Sequence, residues 1–399
     1  MAGKNLLVIC NTFPDESDTY IGAIFVKDQL SCLSEYFEKI YVLIPAPLSI
    51  TTVRKIPLKD YNFQNIHVHF IKYVDFPPCY FYFRDLWVKR ETSKVLSFIQ
   101  QNEIHFDLIH AHNTWRAGTI AIELKKIFKV PVVLTEHTSN VLIDRWINRR
   151  DPQYAKTWKE CDAIIRVNRK DTYIFEQANV PKERVYSIPN GFKKDFFYPL
   201  DTKTSKETVG FPTNKKILLS VGALSPTKGY SNMIKSMKKI TNTRKDIHYY
   251  IIGSGDLRKT LEKQVSQMGL RDYITFVGGK RHGEIHLWIN ACDLFVLPSI
   301  NEANPTVMFE ALGCGKPMVG TKIGGVPEII TSNKYGLLVE PSDSEDLTEK
   351  VLMGLEMEWD RKKIIAYAEQ FTWENISKQI LQIYQKVGMQ TEHDFIMGD

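Results

Sequence analysis

The sequence contains no long apolar run. No stretch of its 399 residues approaches the roughly 18 apolar residues that a membrane-spanning helix needs, so any membrane contact is expected to be peripheral. The opening MAGKNLLVIC has too short an apolar part for a secretory leader and runs straight into polar residues. Six cysteines, Cys10, Cys32, Cys79, Cys161, Cys292 and Cys314, are widely scattered. With no Cys-x-x-Cys pair and no histidine at metal spacing beside them, they read as reduced thiols of a cytoplasmic protein. The net charge of +6 comes without a dense basic cluster, which argues against nucleic acid and leaves phosphorylated ligands or an anionic membrane face open. No Asp-x-Asp closes an apolar strand, and nothing in the sequence calls for a metal or other cofactor. The stretch Gly253-Ser254-Gly255-Asp256 begins like a dinucleotide fingerprint but has Arg258 where the third glycine belongs, so hydride transfer is disfavoured.

What is present is a soluble composition, 43% hydrophobic and 25% charged, on a chain long enough for two or three domains. Short apolar runs alternate with helical periodicity, the pattern of an α/β protein built on parallel sheets. Leu6 to Cys10 is a strand, and Gly22 lies in the turn before a helix, where a glycine would let a phosphate approach the backbone. A strand from Phe106 runs into His110-Ala111-His112, and two histidines at i and i+2 share a face. No third ligand accompanies them, so a metal is discounted and His112 is expected at a carboxyl edge. Val130 to Leu134 leads to Glu136 and His137, candidates to meet an acceptor, and Arg145, Arg149 and Arg150 form a basic run on the following helix, favoured as a solvated face, with Arg145 meeting a phosphate-bearing acceptor as the other reading. Tyr73 to Arg90 mixes aromatic and basic residues; a core-packing helix after a Pro-Pro turn is favoured, with docking on a membrane interface as the other reading. Polar residues 196–213 read as a linker between an N-terminal domain, 1–195, and a second α/β domain, 214–375.

Two strand-to-helix turns stand side by side in the second domain. Leu294 to Leu297 is an apolar strand followed by a loop, with Asn304 expected at the helix N-cap and Pro305 at the first helical position. A second strand, Pro317 to Gly320, feeds Gly324-Gly325-Val326-Pro327-Glu328. Free N–H groups, Thr306 and Val307 among them, would converge with the positive helix ends where a diphosphate can bind. Glu302 on the loop and Glu310 in the helix could each accept hydrogen bonds from hydroxyl groups on either side of that diphosphate. Solvated helix-surface glutamates are the plain alternative. Gly222 to Gly229, after the strand Ile217 to Val221, is a further glycine turn and carries Lys228.

The glutamate pair, with the apolar strand before it and GCGKPMV and GGVPE after it, resembles the E-x7-E signature of retaining glycosyltransferases of family 4, which have the GT-B fold. The resemblance covers nearly the whole chain. It implies two facing Rossmann-like domains with an interdomain cleft and a C-terminal helix, 376–399, crossing back to the first. It implies a nucleotide-sugar donor on the second domain and a carbohydrate or lipid-linked acceptor on the first. By the same resemblance Glu310 holds the ribose, Glu302 faces the sugar ring, Lys228 neutralises the diphosphate, backbone at Val277 receives the base, and His112 approaches the donor sugar. Retention without metal is implied as well. The sequence departs from the family at Ala223, where an arginine is usual, and at Pro305, which removes one N–H. A non-catalytic sugar-nucleotide-binding subunit and a sugar-nucleotide epimerase on the same fold are the alternatives.

Overall fold

The computed structural model describes residues 3–18, 22–48, 59–74, 83–138 and 151–389, and the chain divides into two compact units, 1–189 with 376–399 and 190–375. In the first, an eight-stranded sheet has the order β3-β4-β2-β1-β5-β6-β7-β8. Its strands are β1 Asn5–Cys10, β2 Lys39–Pro47, β3 Tyr61–Phe63, β4 Ile66–Tyr73, β5 Leu108–His112, β6 Val132–Glu136, β7 Ala163–Arg166 and β8 Val185–Ser187. Only the β3–β4 pair is antiparallel. In the second, six strands run parallel in the order β11-β10-β9-β12-β13-β14. These are β9 Lys216–Val221, β10 Ile247–Ile252, β11 Ile274–Gly278, β12 Leu294–Leu297, β13 Met318–Thr321 and β14 Gly336–Val339.

Parallel sheets are covered by helices on both faces, so their strands need apolar side chains in both directions. That is why Leu6, Leu7, Val8 and Ile9 follow one another without alternation, each fully buried. Leu294, Phe295, Val296 and Leu297 do the same in the second unit, split between the two hydrophobic clusters on opposite faces of its sheet. In each sheet the strand order reverses direction at a central strand: β1 lies between β2 and β5, and β9 between β10 and β12. Ligands of open α/β sheets bind outside the carboxyl ends of the strands at such switch points. The loops after β1, β5, β9 and β12 are therefore where chemistry is expected.

Three sequence expectations are corrected here. The polar stretch 196–213 is not a free linker: Thr202–Val209 is a helix whose Asp201 side chain caps the Thr204 N–H, and Phe211 is buried in the second unit's core. The unit boundary falls earlier, after Pro189. The helix Thr306–Gly313 has Pro305, not Asn304, at its N-cap. The strand after it is Met318–Thr321, one residue later than expected. In the first unit the helix Arg84–Gln101 buries Trp87 and Val88 and exposes Leu86, and Phe83 just before it is exposed as well. Trp87 thus belongs to the core, while residues 75–82 of the aromatic stretch lie outside the described residues.

Candidate functional site

In the second unit, the loop after β12 is locked by backbone contact to the loops after β9 and β13. Gly229 has a φ of +65°, and a Cβ there would lie 1.9 Å from the Pro298 carbonyl oxygen. Gly324, at φ +46°, would place a Cβ 1.8 Å from the Glu302 carbonyl oxygen. Only glycine permits both the left-handed backbone and the close approach. Hydrogen bonds from Ile300 N to Thr227 O (2.8 Å) and from Gly325 N to Ala303 O (2.8 Å) complete the packing.

That scaffold brings Lys228 to Glu302, with Nζ donating to Oε1 at 2.5 Å. Ser299 Oγ donates to the same oxygen at 2.7 Å. The Glu302 side chain is 10% exposed and that of Lys228 22%, so Glu302 is not a solvated surface charge. Glu310 is buried too, on the inner side of its helix, with His282 Nε2 3.9 Å from Oε1. Between the two glutamates the helix start is capped by no side chain. Its first N–H groups, at Thr306 and Val307, have no acceptor within the helix, and both residues are half-buried. The positive end of a helix and two carboxylates thus belong to the turn-helix element after β12, and a lysine from the loop after β9 reaches the first of those carboxylates at the switch point. Ala223 is exposed on the neighbouring turn, and Val277 packs partly against the core at the end of β11.

Asn304 has a different task from the one its position suggested. Its carboxamide oxygen accepts from the Asn190 N–H at 2.8 Å, and its carbonyl accepts from Asn190 Nδ2 at 2.9 Å. It therefore holds the start of the second unit against the glutamate loop. Asn190, Ser299 and His282 were not singled out from the sequence. Ser299 had a signal in its place three residues before Glu302, but Asn190 and His282 approach from over a hundred and from 28 positions away respectively.

In the first unit the carboxyl edge of β5 carries a row of rings. His110 is fully buried, its Nδ1 bonded to Tyr384 Oη at 2.6 Å and its Nε2 to Thr135 Oγ1 at 2.7 Å. Burial pushes its pKa down to about 3. His112, on the same face, has its ring centre 4.3 Å from that of His110, and its Nδ1 lies 3.0 Å from His137 Nε2. Burial first, then the proximity of His110 and His137, holds His112 well below the usual imidazole range. Its Nε2 is buried and has no hydrogen-bond partner among the described residues. Glu136, expected at an acceptor, is instead a brace: it is 1% exposed, with Oε2 accepting from Thr114 N and Oγ1 and Oε1 from Thr138 N and Oγ1. Gly22 is half-buried ahead of the helix Ile24–Leu33, and Arg145 lies outside the described residues.

The segment behind His112 is strained. Asn113 and Arg116 have φ values of +75° and +65°, unfavourable for residues with a Cβ. Arg116 is kept there by Glu91, which is fully buried and receives its Nε at 2.9 and 3.1 Å and its Nη2 at 2.5 Å. Asn11 adds a bond to Trp115 O (2.9 Å) and accepts from Ala117 N (3.2 Å). Glu91, Arg116 and Asn11 were invisible in the sequence reading, since their partners lie on separate elements.

Residues 201–371 match the model for glycosyl transferases group 1, and residues 50–196 that for glycosyltransferase family 4. An uncharacterised glycosyltransferase of Methanocaldococcus jannaschii is 31% identical over 288 residues, covering 70% of this chain and 76% of its own. A D-inositol 3-phosphate glycosyltransferase of Corynebacterium urealyticum is 27% identical over 320 residues, covering 74% and 75%. Among solved structures, Anabaena HepE in complex with UDP-glucose is 21% identical over 96% of this chain and 99% of its own, with a TM-score of 0.73. Sucrose-phosphate synthase from Thermosynechococcus elongatus is 19% identical over 96% and 99%, with a TM-score of 0.77.

Proposed function

This chain belongs to the glycosyltransferases and has the GT-B fold, and from that membership we propose that it transfers a sugar from a nucleoside-diphosphate donor to a carbohydrate or lipid-linked acceptor, with retention and without a metal ion. The observation that carries this reading is the turn-helix element at the second unit's switch point, where Lys228 and Glu302 meet beside an uncapped helix start. A diphosphate leaving group needs positive charge that is already in place, because reorganising solvent in the transition state is costly. Lys228 and the N–H groups of Thr306 and Val307 supply it. Glu310 accepts from the ribose and Glu302 from the sugar ring, in keeping with the E-x7-E resemblance. HepE was solved with UDP and with UDP-glucose, which supports a nucleotide sugar as donor here. The base is received at Val277, His112 presents Nε2 to the substrate, and the acceptor is taken by the first unit, where a peripheral membrane contact would serve a lipid-linked acceptor.

In this mechanism the bond between the anomeric carbon and the diphosphate oxygen breaks while the acceptor oxygen attacks from the same face. The departing oxygen takes the acceptor proton. The test is incubation with a panel of nucleotide sugars, without acceptor and with or without a chelator, following slow release of the nucleoside diphosphate. One donor should be hydrolysed at a rate the chelator leaves unchanged, and Lys228→Ala should lower that rate by about two to four orders of magnitude. No hydrolysis of any donor, or equal rates in the variant, would overturn the reading.

A further inference from the structure

Of the side chains near the switch point of the second unit, His282 is one that the mechanism leaves without a task. It opens the short turn His282–Glu284 in the loop after β11, beyond Gly278, which ends that strand at a φ of +90°. Its ring stands edge-on against Phe197, 5.3 Å between centres and 61° between the planes. Phe197 is fully buried, and its carbonyl packs so close to the helix Thr306–Gly313 that a Cβ on Gly313 would lie 2.8 Å from the oxygen. The loop after β11, the segment entering the second unit and the helix bearing Glu310 thus meet here, and they hold His282 Nε2 3.9 Å from Glu310 Oε1. The His282 side chain is 15% exposed and that of Glu310 7%.

At 3.9 Å these two atoms are beyond direct hydrogen-bonding distance. The gap fits one oxygen about 2.8 Å from each of them. A carboxylate can only accept, so a ribose hydroxyl bound to Glu310 must donate to it. The hydroxyl then turns its own lone pairs into a largely enclosed site, where an unmet acceptor costs free energy. An imidazole N–H beside the carboxylate meets that need, and the neighbouring negative charge favours the proton on Nε2. A nucleoside without that hydroxyl would leave the N–H and the carboxylate unmet together, which is how enclosed polar groups reject an analogue that lacks one hydroxyl.

We propose that His282 reads the sugar of the nucleoside: its Nε2–H donates to the ribose hydroxyl that Glu310 accepts from, and the pair selects ribonucleotides over their deoxy forms. The role rests on the reading of Glu310 as the carboxylate that holds the ribose.

Calorimetry with UDP, GDP and ADP identifies the diphosphate the protein prefers, and its 2′-deoxy and 3′-deoxy forms then report on each hydroxyl separately. For the wild type, one of the two deoxy forms should bind about tenfold or more weakly than the parent. His282→Phe keeps a ring against Phe197 but has no N–H, and should weaken the parent about three- to tenfold while leaving that deoxy form within about twofold. His282→Gln offers an amide N–H and should recover most of the loss. A ring that served packing alone would weaken parent and deoxy forms alike; that result in a folded His282→Phe, or unchanged binding of every form, would overturn the proposal. Glu310→Gln separates the two readings. If it leaves the parent diphosphate bound as before, or if none of the three diphosphates binds the wild type, the ribose role of Glu310 falls and the proposal with it. If it weakens the parent while His282→Phe does not, only the role of His282 is refuted.

Discussion

Lys228 Nζ and Ser299 Oγ both donate to the same carboxylate oxygen of Glu302. On the proposed reading a diphosphate draws Lys228 away from Glu302, and with Ala223 in the neighbouring turn no arginine stands there to assist. A charged hydrogen bond is worth about 1.5–3 kcal/mol, enough to matter in an affinity. Glu302→Gln should release Lys228 and tighten nucleoside diphosphate binding several-fold while depressing sugar transfer. Glu310→Gln should weaken nucleoside diphosphate and nucleotide sugar alike, by about tenfold. Calorimetry with both ligands separates the two; equal weakening in both variants would show that the glutamates do not divide the ligand between them. Ala223→Arg should tighten the free nucleoside diphosphate, and a folded variant with unchanged affinity would place that turn away from the phosphates.

At the scale of elements, the glycines that let loops pack backbone to backbone matter more than their flexibility alone. Gly210 and Gly229 both have positive φ, +76° and +65°, yet a Cβ on Gly210 meets nothing within 4 Å while one on Gly229 collides with the Pro298 carbonyl. Gly210→Ala should carry only the conformational strain, about 1 kcal/mol. Gly229→Ala must also part the loop bearing Lys228 from the one bearing Glu302, and should lower the melting temperature several degrees more and reduce transfer in proportion. Equal melting temperatures for the two variants would mean the loops are not held by this contact. The sequence marks Gly229 as the close of a glycine turn, but only the packed structure shows that it holds two site loops together. The same holds for Asn304, whose sequence position suggested a cap and whose side chain instead binds Asn190.

For the molecule as a whole, buried histidines tie stability to pH. His110 has its pKa pushed down to about 3 by burial, below the value near 6.5 of an unfolded histidine. Above pH 6.5 the group is neutral in both states and adds no pH dependence. As pH falls from 6.5 toward 3, the unfolded chain binds a proton that the folded chain refuses, so stability declines by about 1.4 kcal/mol per pH unit for this residue. His112 in the first unit and His248 in the second are shifted in the same direction by the same cause. Unfolding by urea measured from pH 7.5 to 4.5 should show stability falling with acid. In His110→Asn the slope should be shallower by about one proton, although the variant is less stable at pH 7.5 for want of the Tyr384 and Thr135 bonds. An unchanged slope would exclude His110 as a source.

The amino-acid sequence by itself determined the periodicities and the glycine turns. Short uninterrupted apolar runs such as Leu6 to Ile9 read as strands covered on both faces, and the glycine turns after β9 and β13 mark where strands hand over to helices. Because a parallel sheet aligns all its carboxyl ends, these local signals were enough to put the turn bearing Lys228 beside the loop bearing Glu302. Tertiary structure alone decided the pairings across elements: Lys228 with Glu302, His112 with His137, Glu91 with Arg116, Asn190 with Asn304. It also turned the polar stretch around Thr202 into a packed helix, and Glu136 into a brace. A side chain's partner depends on which elements the fold brings together, and a pattern of spacing within one element carries no record of that.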